Sequence, residues 1–120
     1  MIKKEFEIPI YKVSVLIVQI ESANDMEDVE QLCAENEIEV TPSLKENIIY
    51  NRKDGGDTYR DLVHRRIVVF FYPFSNLTEK ANIICHEKRH IEDRILDYFG
   101  VEDIESAALL AGYLGEKFLP

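Results

Sequence analysis

The residues His86-Glu87-Lys88-Arg89-His90 follow the pattern HExxH. Four residues advance a helix by about 400°, so His86 and His90 lie one turn apart on one face and offer two imidazole nitrogens to one ion. Glu87 lies about 100° round from His86, close enough to contact a water on that ion without binding the ion itself. A zinc ion held by two imidazoles and one carboxylate keeps a fourth position for water, lowers the pKa of that water towards about 7 and polarises a carbonyl. The pattern therefore predicts a hydrolytic zinc site with Glu87 as general base.

The two middle residues of the motif are charged, whereas zinc proteases of this type normally carry uncharged residues there. We expect Arg89 to face water. Lys88 continues an apolar stripe of the helix, so it must extend its amine to solvent or find an ionic partner. That stripe consists of Leu77, Ala81, Ile84, Ile91 and Ile95. The alternative to a metal site is a solvated helix face of His, Glu, Lys and Arg joined by ordinary ion pairs.

A third protein ligand has to come from outside the motif. The longer pattern HExxHxxGxxH fails, because Asp93 stands where glycine is needed and Leu96 where the last histidine would be. Asp93 and Asp97 follow His90 on the same side, but adjacent turns of one helix cannot readily close a tetrahedron, so we expect these acids to support the site or to face solvent. The remaining candidates belong to the last helix: Glu102, Glu105 and Glu116.

Which glutamate can reach the ion depends on where the motif helix ends or bends. If the motif helix runs straight to Phe99, it extends about 13 Å beyond His90, and an antiparallel helix returns to the level of the ion near Glu116. If the motif helix ends or bends near Leu96 and the next helix crosses it steeply, Glu105 reaches the ion from its first turn. We favour Glu105, because the alanines that follow it let two backbones approach closely, whereas Glu116 lies on a polar C-terminal turn.

The elements that must position these residues follow from hydrophobic spacing. Strands are predicted over residues 6–20, 47–50 and 67–72, and helices over 24–38, 77–99 and 104–118. Pro9 lacks an N–H, so we expect the early part of the first strand to lie at a sheet edge or to bend. Asn76 with Glu79 forms a capping box that begins the motif helix, and Gly100 ends it. Residues 54–57 supply a chain reversal, whereas 58–66 carry no pattern that assigns them. The last helix is so rich in alanine and leucine that we expect most of its circumference to be buried.

Length, composition and charge narrow the class of protein. A chain of 120 residues fits a single domain over 1–120, and its 46% hydrophobic residues suffice for one core. A formal charge of −9 repels phosphate backbones and anionic lipids, so neither a nucleic acid nor a membrane is expected as a partner. The chain has only two cysteines, Cys33 and Cys85, and its first 20 residues lack the pattern of a signal peptide. These features favour the reducing cytoplasm.

The chain as a whole resembles a family. The order EIPIY, a strand, HExxH and the helix GVEDIESAALLAGYL resembles small zinc metallopeptidases encoded in phages, prophages and conjugative elements. It is similar more distantly to metallopeptidases of the ImmA/IrrE type, in which a Glu-bearing, Ala-rich helix follows the HExxH helix. The resemblance spans most of the chain and is sharp over residues 84–113.

This resemblance implies a fold and a function. The fold is an α+β minimal zincin, with a small mixed sheet, one early helix and two C-terminal helices. His86, His90 and Glu105 would bind Zn²⁺, and Glu87 would act as base on a peptide or protein substrate. Residues 67–72 would flank the cleft and hold an extended peptide by main-chain hydrogen bonds.

The oxyanion of the transition state needs a hydrogen-bond donor, and the candidates are Tyr98, Tyr113 and His64. Packing or a surface position explains each of these residues as well. The competing function is a non-catalytic accessory or binding protein of a phage or mobile element, which keeps a structural metal site or a vestigial one. Neither the oligomeric state nor the cleavage specificity follows from the sequence.

Overall fold

The structure is a computed structural model that describes residues 1–118. These residues contain four strands and four α-helices. The strands are β1 (Ile2–Ile8), β2 (Val13–Gln19), β3 (Gly56–Asp61) and β4 (Arg66–Phe71). The helices are α1 (Met26–Glu35), α2 (Pro42–Ile49), α3 (Leu77–Tyr98) and α4 (Ile104–Phe118), and a 3₁₀ turn, Ala23–Asp25, leads into α1. No helix among these residues is long and apolar enough to cross a membrane.

The strands form one mixed sheet in the order β1-β2-β4-β3. The central strands β2 and β4 run parallel, with Val15 opposite Ile67, and each outer strand runs antiparallel to its neighbour. Parallel strands need a crossover connection, and α1 and α2 lie in the segment that supplies it. In β4 five of the six residues are buried, as expected for a strand that is covered on both faces.

Each face of the sheet buries its own hydrophobic cluster. Because successive side chains of a strand point to opposite faces, β4 contributes Val69 to one cluster and Val68 to the other. The first cluster joins the sheet to α3 and α4 through Ile91, Ile95, Leu110, Leu114 and Phe118. The second joins it to α1 and α2 through Val29, Leu32, Cys33, Leu44 and Ile48. The chain is thus an α+β protein with a mixed four-stranded sheet.

Two predictions for the first half of the chain are wrong. Residues 6–20 were expected to form one strand, whose early part bends or lies at an edge because of Pro9. The bend is confirmed as a turn at residues 9–12, but it separates the end of the outer strand β1 from β2, so the run holds parts of two strands. Residues 47–50 were expected to form a strand, but they end α2. The side chain of Thr41 caps this helix by accepting from the N–H of Leu44 at 3.1 Å, and Leu44 and Ile48 share a helical face. So short a run, with three apolar residues after Asn47, fits either structure, and the cap and the spacing decide for a helix. The early part of the chain therefore holds two α-helices rather than one.

The second half follows the predicted pattern more closely. The motif helix α3 begins after Asn76, whose side chain accepts from the N–H of Glu79 at 2.9 Å. It runs unbroken to Tyr98, and Gly100 follows with a φ of 68°, a conformation that favours glycine. Residues 58–66, which carried no assignable pattern, hold most of β3 and the turn into β4. Because β3 is an outer strand of sequence GDTYRD, it shows no apolar run.

The bounds predicted for α4 are confirmed, but its expected burial is wrong. Only Leu110, Leu114 and Phe118 of this helix are buried, whereas Ile104 is 87% exposed and Leu109 is 68% exposed. The helix packs on the sheet and on α3 along one face, so its outer face of small and apolar residues remains in solvent. A composition rich in alanine and leucine therefore did not indicate burial on all sides.

The packing of α3 on the sheet can be tested with two isoleucines. Ile91 is fully buried, so replacing it with alanine leaves a cavity, and we expect Ile91→Ala to lower the free energy of unfolding by about 2–5 kcal/mol. The matched change Ile104→Ala, on an exposed side chain, should alter it by less than about 0.5 kcal/mol. Urea unfolding followed by circular dichroism measures both, and equal losses in the two variants would contradict this packing.

Candidate metal centre

Two histidine rings converge on the outer surface of α3. The Nε2 atoms of His86 and His90 lie 3.0 Å apart, and the rings meet edge to face with centroids 4.5 Å apart. Two imidazole nitrogens bound to one tetrahedral zinc ion at about 2.05 Å are separated by about 3.3 Å. The observed separation is that of a hydrogen bond between the two rings, and it is about 0.3 Å shorter than the separation on one zinc ion.

Glu87 is buried between α3 and the edge strand β3. Only 6% of this residue is exposed, and its Oε2 accepts a hydrogen bond from Thr58 Oγ1 at 2.5 Å. Gly56 lies two residues before Thr58 and therefore on the same face of β3. A Cβ atom at Gly56 would lie 3.0 Å from Cγ of Glu87, so the glycine provides the space that this side chain occupies.

The position of Glu87 shows which way the histidines face. Ile84, Ile91 and Ile95 mark the side of α3 that packs on the sheet. At about 100° per residue, Glu87 lies about 60° from this side, and His90 lies about 60° further in the same direction. His86 lies about 40° further still, so the histidine pair lies on the outer surface of α3, turned towards the side of the helix that contacts β3.

Helix α4 lies on the opposite flank of α3, above β1. Tyr113 donates from its hydroxyl to the main-chain oxygen of Glu7 at 2.6 Å, and Lys4 donates from Nζ to the main-chain oxygen of Lys117 at 2.6 Å. Strands β1 and β3 form opposite edges of the sheet. The histidine pair therefore faces away from α4.

The structure brings neither Glu105 nor Glu116 to the histidine pair. Both are exposed on α4, and Glu102 is exposed just before it. The bend near Leu96 that would bring Glu105 to the ion is not present, because α3 continues without a break to Tyr98. Glu116 does lie on a helix that returns alongside α3, but on the wrong flank. Among residues 1–118 no group of three or more His, Cys, Asp or Glu side chains is arranged to hold a metal ion.

The charged middle residues of the motif are paired within α3. Lys88 donates from Nζ to Glu92 at 2.7 Å, and Glu92 is buried. Arg89 contacts Asp93 at 3.2 Å, and both side chains are exposed. Lys88 has thus found the ionic partner that its position required, and Arg89 faces water as expected. Both ion pairs lie within α3, between residues four apart. Neither pair includes a histidine of the motif or Glu87.

The candidate oxyanion donors lie away from the histidine pair or have other partners. The hydroxyl of Tyr113 is engaged above β1, and Tyr98 is half exposed at the last turn of α3. His64 lies in the turn between β3 and β4, where its Nδ1 and Asp61 Oδ2 are 2.7 Å apart. Hydrogen bonds from His64 lower the pKa of Asp61.

The strand beside the motif is β3, which corrects the prediction made for residues 67–72. Strand β4 lies inside the sheet with β2 and β3 as neighbours, so it has no free edge on which to hold a peptide. Strand β3 pairs on one side only and carries both Thr58 and Gly56. Sequence reasoning missed these two residues, because Gly56 was assigned to a turn and Thr58 to a segment without a pattern.

The close approach at Gly56 gives a test of this arrangement. We expect Gly56→Ala to lower the free energy of unfolding by about 1–3 kcal/mol, because the new methyl group meets Glu87 Cγ and, at 3.1 Å, the main-chain oxygen of Phe70. Gly112 on α4 has open space at its Cβ position, so Gly112→Ala should instead stabilise the protein by about 0.5–1 kcal/mol. Thermal and urea unfolding measure both changes, and a neutral Gly56→Ala would show that Glu87 does not pack there.

Comparisons of the chain with protein-family models, with curated proteins and with solved structures found no match. No family assignment therefore supports the site. The support for the candidate site is the arrangement of side chains on α3 and β3.

Proposed function

We propose that the protein is a zinc-dependent metallopeptidase, in which His86 and His90 bind the ion and Glu87 acts as general base. The observation that carries this proposal is the convergence of two imidazole nitrogens to 3.0 Å, next to a carboxylate held against an edge strand. A bound zinc ion would supply Lewis acidity to a carbonyl and to water. The proposal includes the cytoplasmic location that the cysteine count favours and the phage or mobile-element source that the resemblance implies.

The residues of this chain have distinct roles in the proposed reaction. A peptide substrate can pair with the free edge of β3 through main-chain hydrogen bonds, which would bring a scissile bond close to the histidine flank of α3. Glu87 belongs to α3 and packs against the same strand. It takes a proton from the attacking water and passes it to the leaving amine. The exposed flank accepts an extended chain rather than a deeply enclosed ligand.

The third ligand remains a prediction from the sequence. Glu105 is favoured there and Glu116 is the alternative, and either one requires α4 to move around α3 when the ion binds. A non-catalytic binding protein is the second candidate function. The observation that favours it is that the described residues bring only two protein ligands together.

Zinc binding tests the histidine pair. We expect the wild-type protein to bind one zinc ion, and His86→Ala or His90→Ala to weaken that binding by at least about 100-fold, because each change removes one of two converging nitrogens. The control His64→Ala, a histidine of the β3–β4 turn, should leave the affinity unchanged. Isothermal titration calorimetry and native mass spectrometry give the affinity and the stoichiometry.

The same titration tests the glutamates. In the observed arrangement, Glu105→Gln and Glu116→Gln should each alter zinc affinity by less than about twofold, because neither side chain reaches the histidine flank. A loss of about tenfold or more in Glu105→Gln would show instead that α4 rearranges to supply the third ligand.

Catalysis depends on Glu87 in this proposal. We expect Glu87→Gln to reduce peptide cleavage by about 10²–10⁴-fold while zinc binding persists, because the amide cannot accept the proton. Digestion of casein and of a peptide library by zinc-loaded protein measures the loss. A wild-type protein that binds zinc but cleaves neither substrate would favour the binding protein, and one that does not bind zinc would remove the metallopeptidase proposal altogether.

A further inference from the structure

The hydroxyl of Thr58 holds one oxygen of the Glu87 carboxylate. The distance from Thr58 Oγ1 to Glu87 Oε2 is 2.5 Å, within the range of a short hydrogen bond to a charged acceptor. Glutamate has three rotatable side-chain bonds, and fixing them costs conformational entropy. A hydrogen bond at the tip of the side chain selects one orientation from several.

Thr58 is itself firmly placed, because both of its neighbours in β3 are held on the opposite face of the sheet. Its neighbour Asp57 accepts a hydrogen bond from the buried hydroxyl of Tyr72 on the opposite face. The hydroxyl oxygen of its other neighbour, Tyr59, lies 3.3 Å from Oγ1 of Thr41. Thr58 is also paired with Val69 in the strand ladder, and a β-branched side chain is stiff at its first torsion. The hydroxyl therefore presents a fixed donor to α3.

This contact makes the two carboxylate oxygens unequal. Oε2 accepts from the hydroxyl of Thr58, whereas no hydrogen bond to Oε1 is found within residues 1–118. We propose that Thr58 is a positioning residue of the metallopeptidase site, which fixes the Glu87 carboxylate against the edge strand so that Oε1 faces the reacting water. This inference rests on the proposed function and adds to it a residue from outside the HExxH motif.

The kinetic test removes the hydroxyl and then restores it. We expect Thr58→Val, which has nearly the same shape, to lower kcat by about tenfold or more in zinc-loaded protein, since misplacement of a reacting group by about 1 Å costs up to about 100-fold. KM and zinc affinity should stay within about twofold, because neither the strand edge nor the histidines change. Thr58→Ser should recover kcat to within about threefold of wild type, and Thr78→Val, on the exposed first turn of α3, should have no effect. A Thr58→Val enzyme with wild-type kcat would overturn the proposal.

A second measurement does not depend on activity. A double-mutant cycle of Thr58→Val and Glu87→Ala in metal-free protein, read by urea unfolding, should show that the two side chains are coupled by about tenfold or more in the unfolding equilibrium constant. Coupling of less than about twofold would overturn the inference even if the wild-type enzyme is active. If zinc-loaded wild-type protein cleaves nothing, the proposed function fails, and this cycle alone decides whether Thr58 holds Glu87.

Discussion

The rotational setting of α3 on the sheet is the constraint on which the site depends. Ile91 and Ile95 are fully buried against the sheet, and they fix which residues of the helix point inwards. Once that side is fixed, the helical period places Glu87 against β3 and turns His86 and His90 towards solvent. A rotation of α3 by about 100° in one direction would turn His90 towards the sheet, and in the other direction it would turn the Glu87 carboxylate towards solvent. The core and the candidate metal centre are therefore set by the same contacts.

The polar side chains on α3 show how a charged motif is accommodated on a packed helix. Lys88 would be costly at the margin of the core without a partner, and Glu92, which is buried beside it, supplies one. Glu87 is the other buried acid of this helix, and its partner is a neutral hydroxyl from another element. The two buried acids therefore differ in their partners: Glu92 pairs with a cation, and Glu87 accepts from a neutral hydroxyl.

The topology places the candidate site beside β3, the outer strand that contacts α3 within residues 1–118. Since β4 is interior and β1 lies beneath α4, the free edge of β3 is where an extended chain can pair close to the histidines. Helix α4 covers β1 at the other edge of the sheet, so it lies on the opposite side of α3 from β3. The free edge beside α3 and the distance of the α4 glutamates from the histidines are therefore two results of one strand order. An ion at the proposed centre would be held either by two protein ligands or by a third that α4 supplies after moving.

The sequence by itself determined the features that depend on local order. The bounds of α3 and α4, the cap at Asn76 and the one-turn spacing of His86 and His90 all follow from helix periodicity and capping. Only the tertiary structure decided that β3 is the edge strand, that Thr58 meets Glu87 and that α4 exposes its outer face. These features depend on which segments meet across long stretches of chain. A polar edge strand or a half-covered helix leaves no periodic signal of that in its own residues.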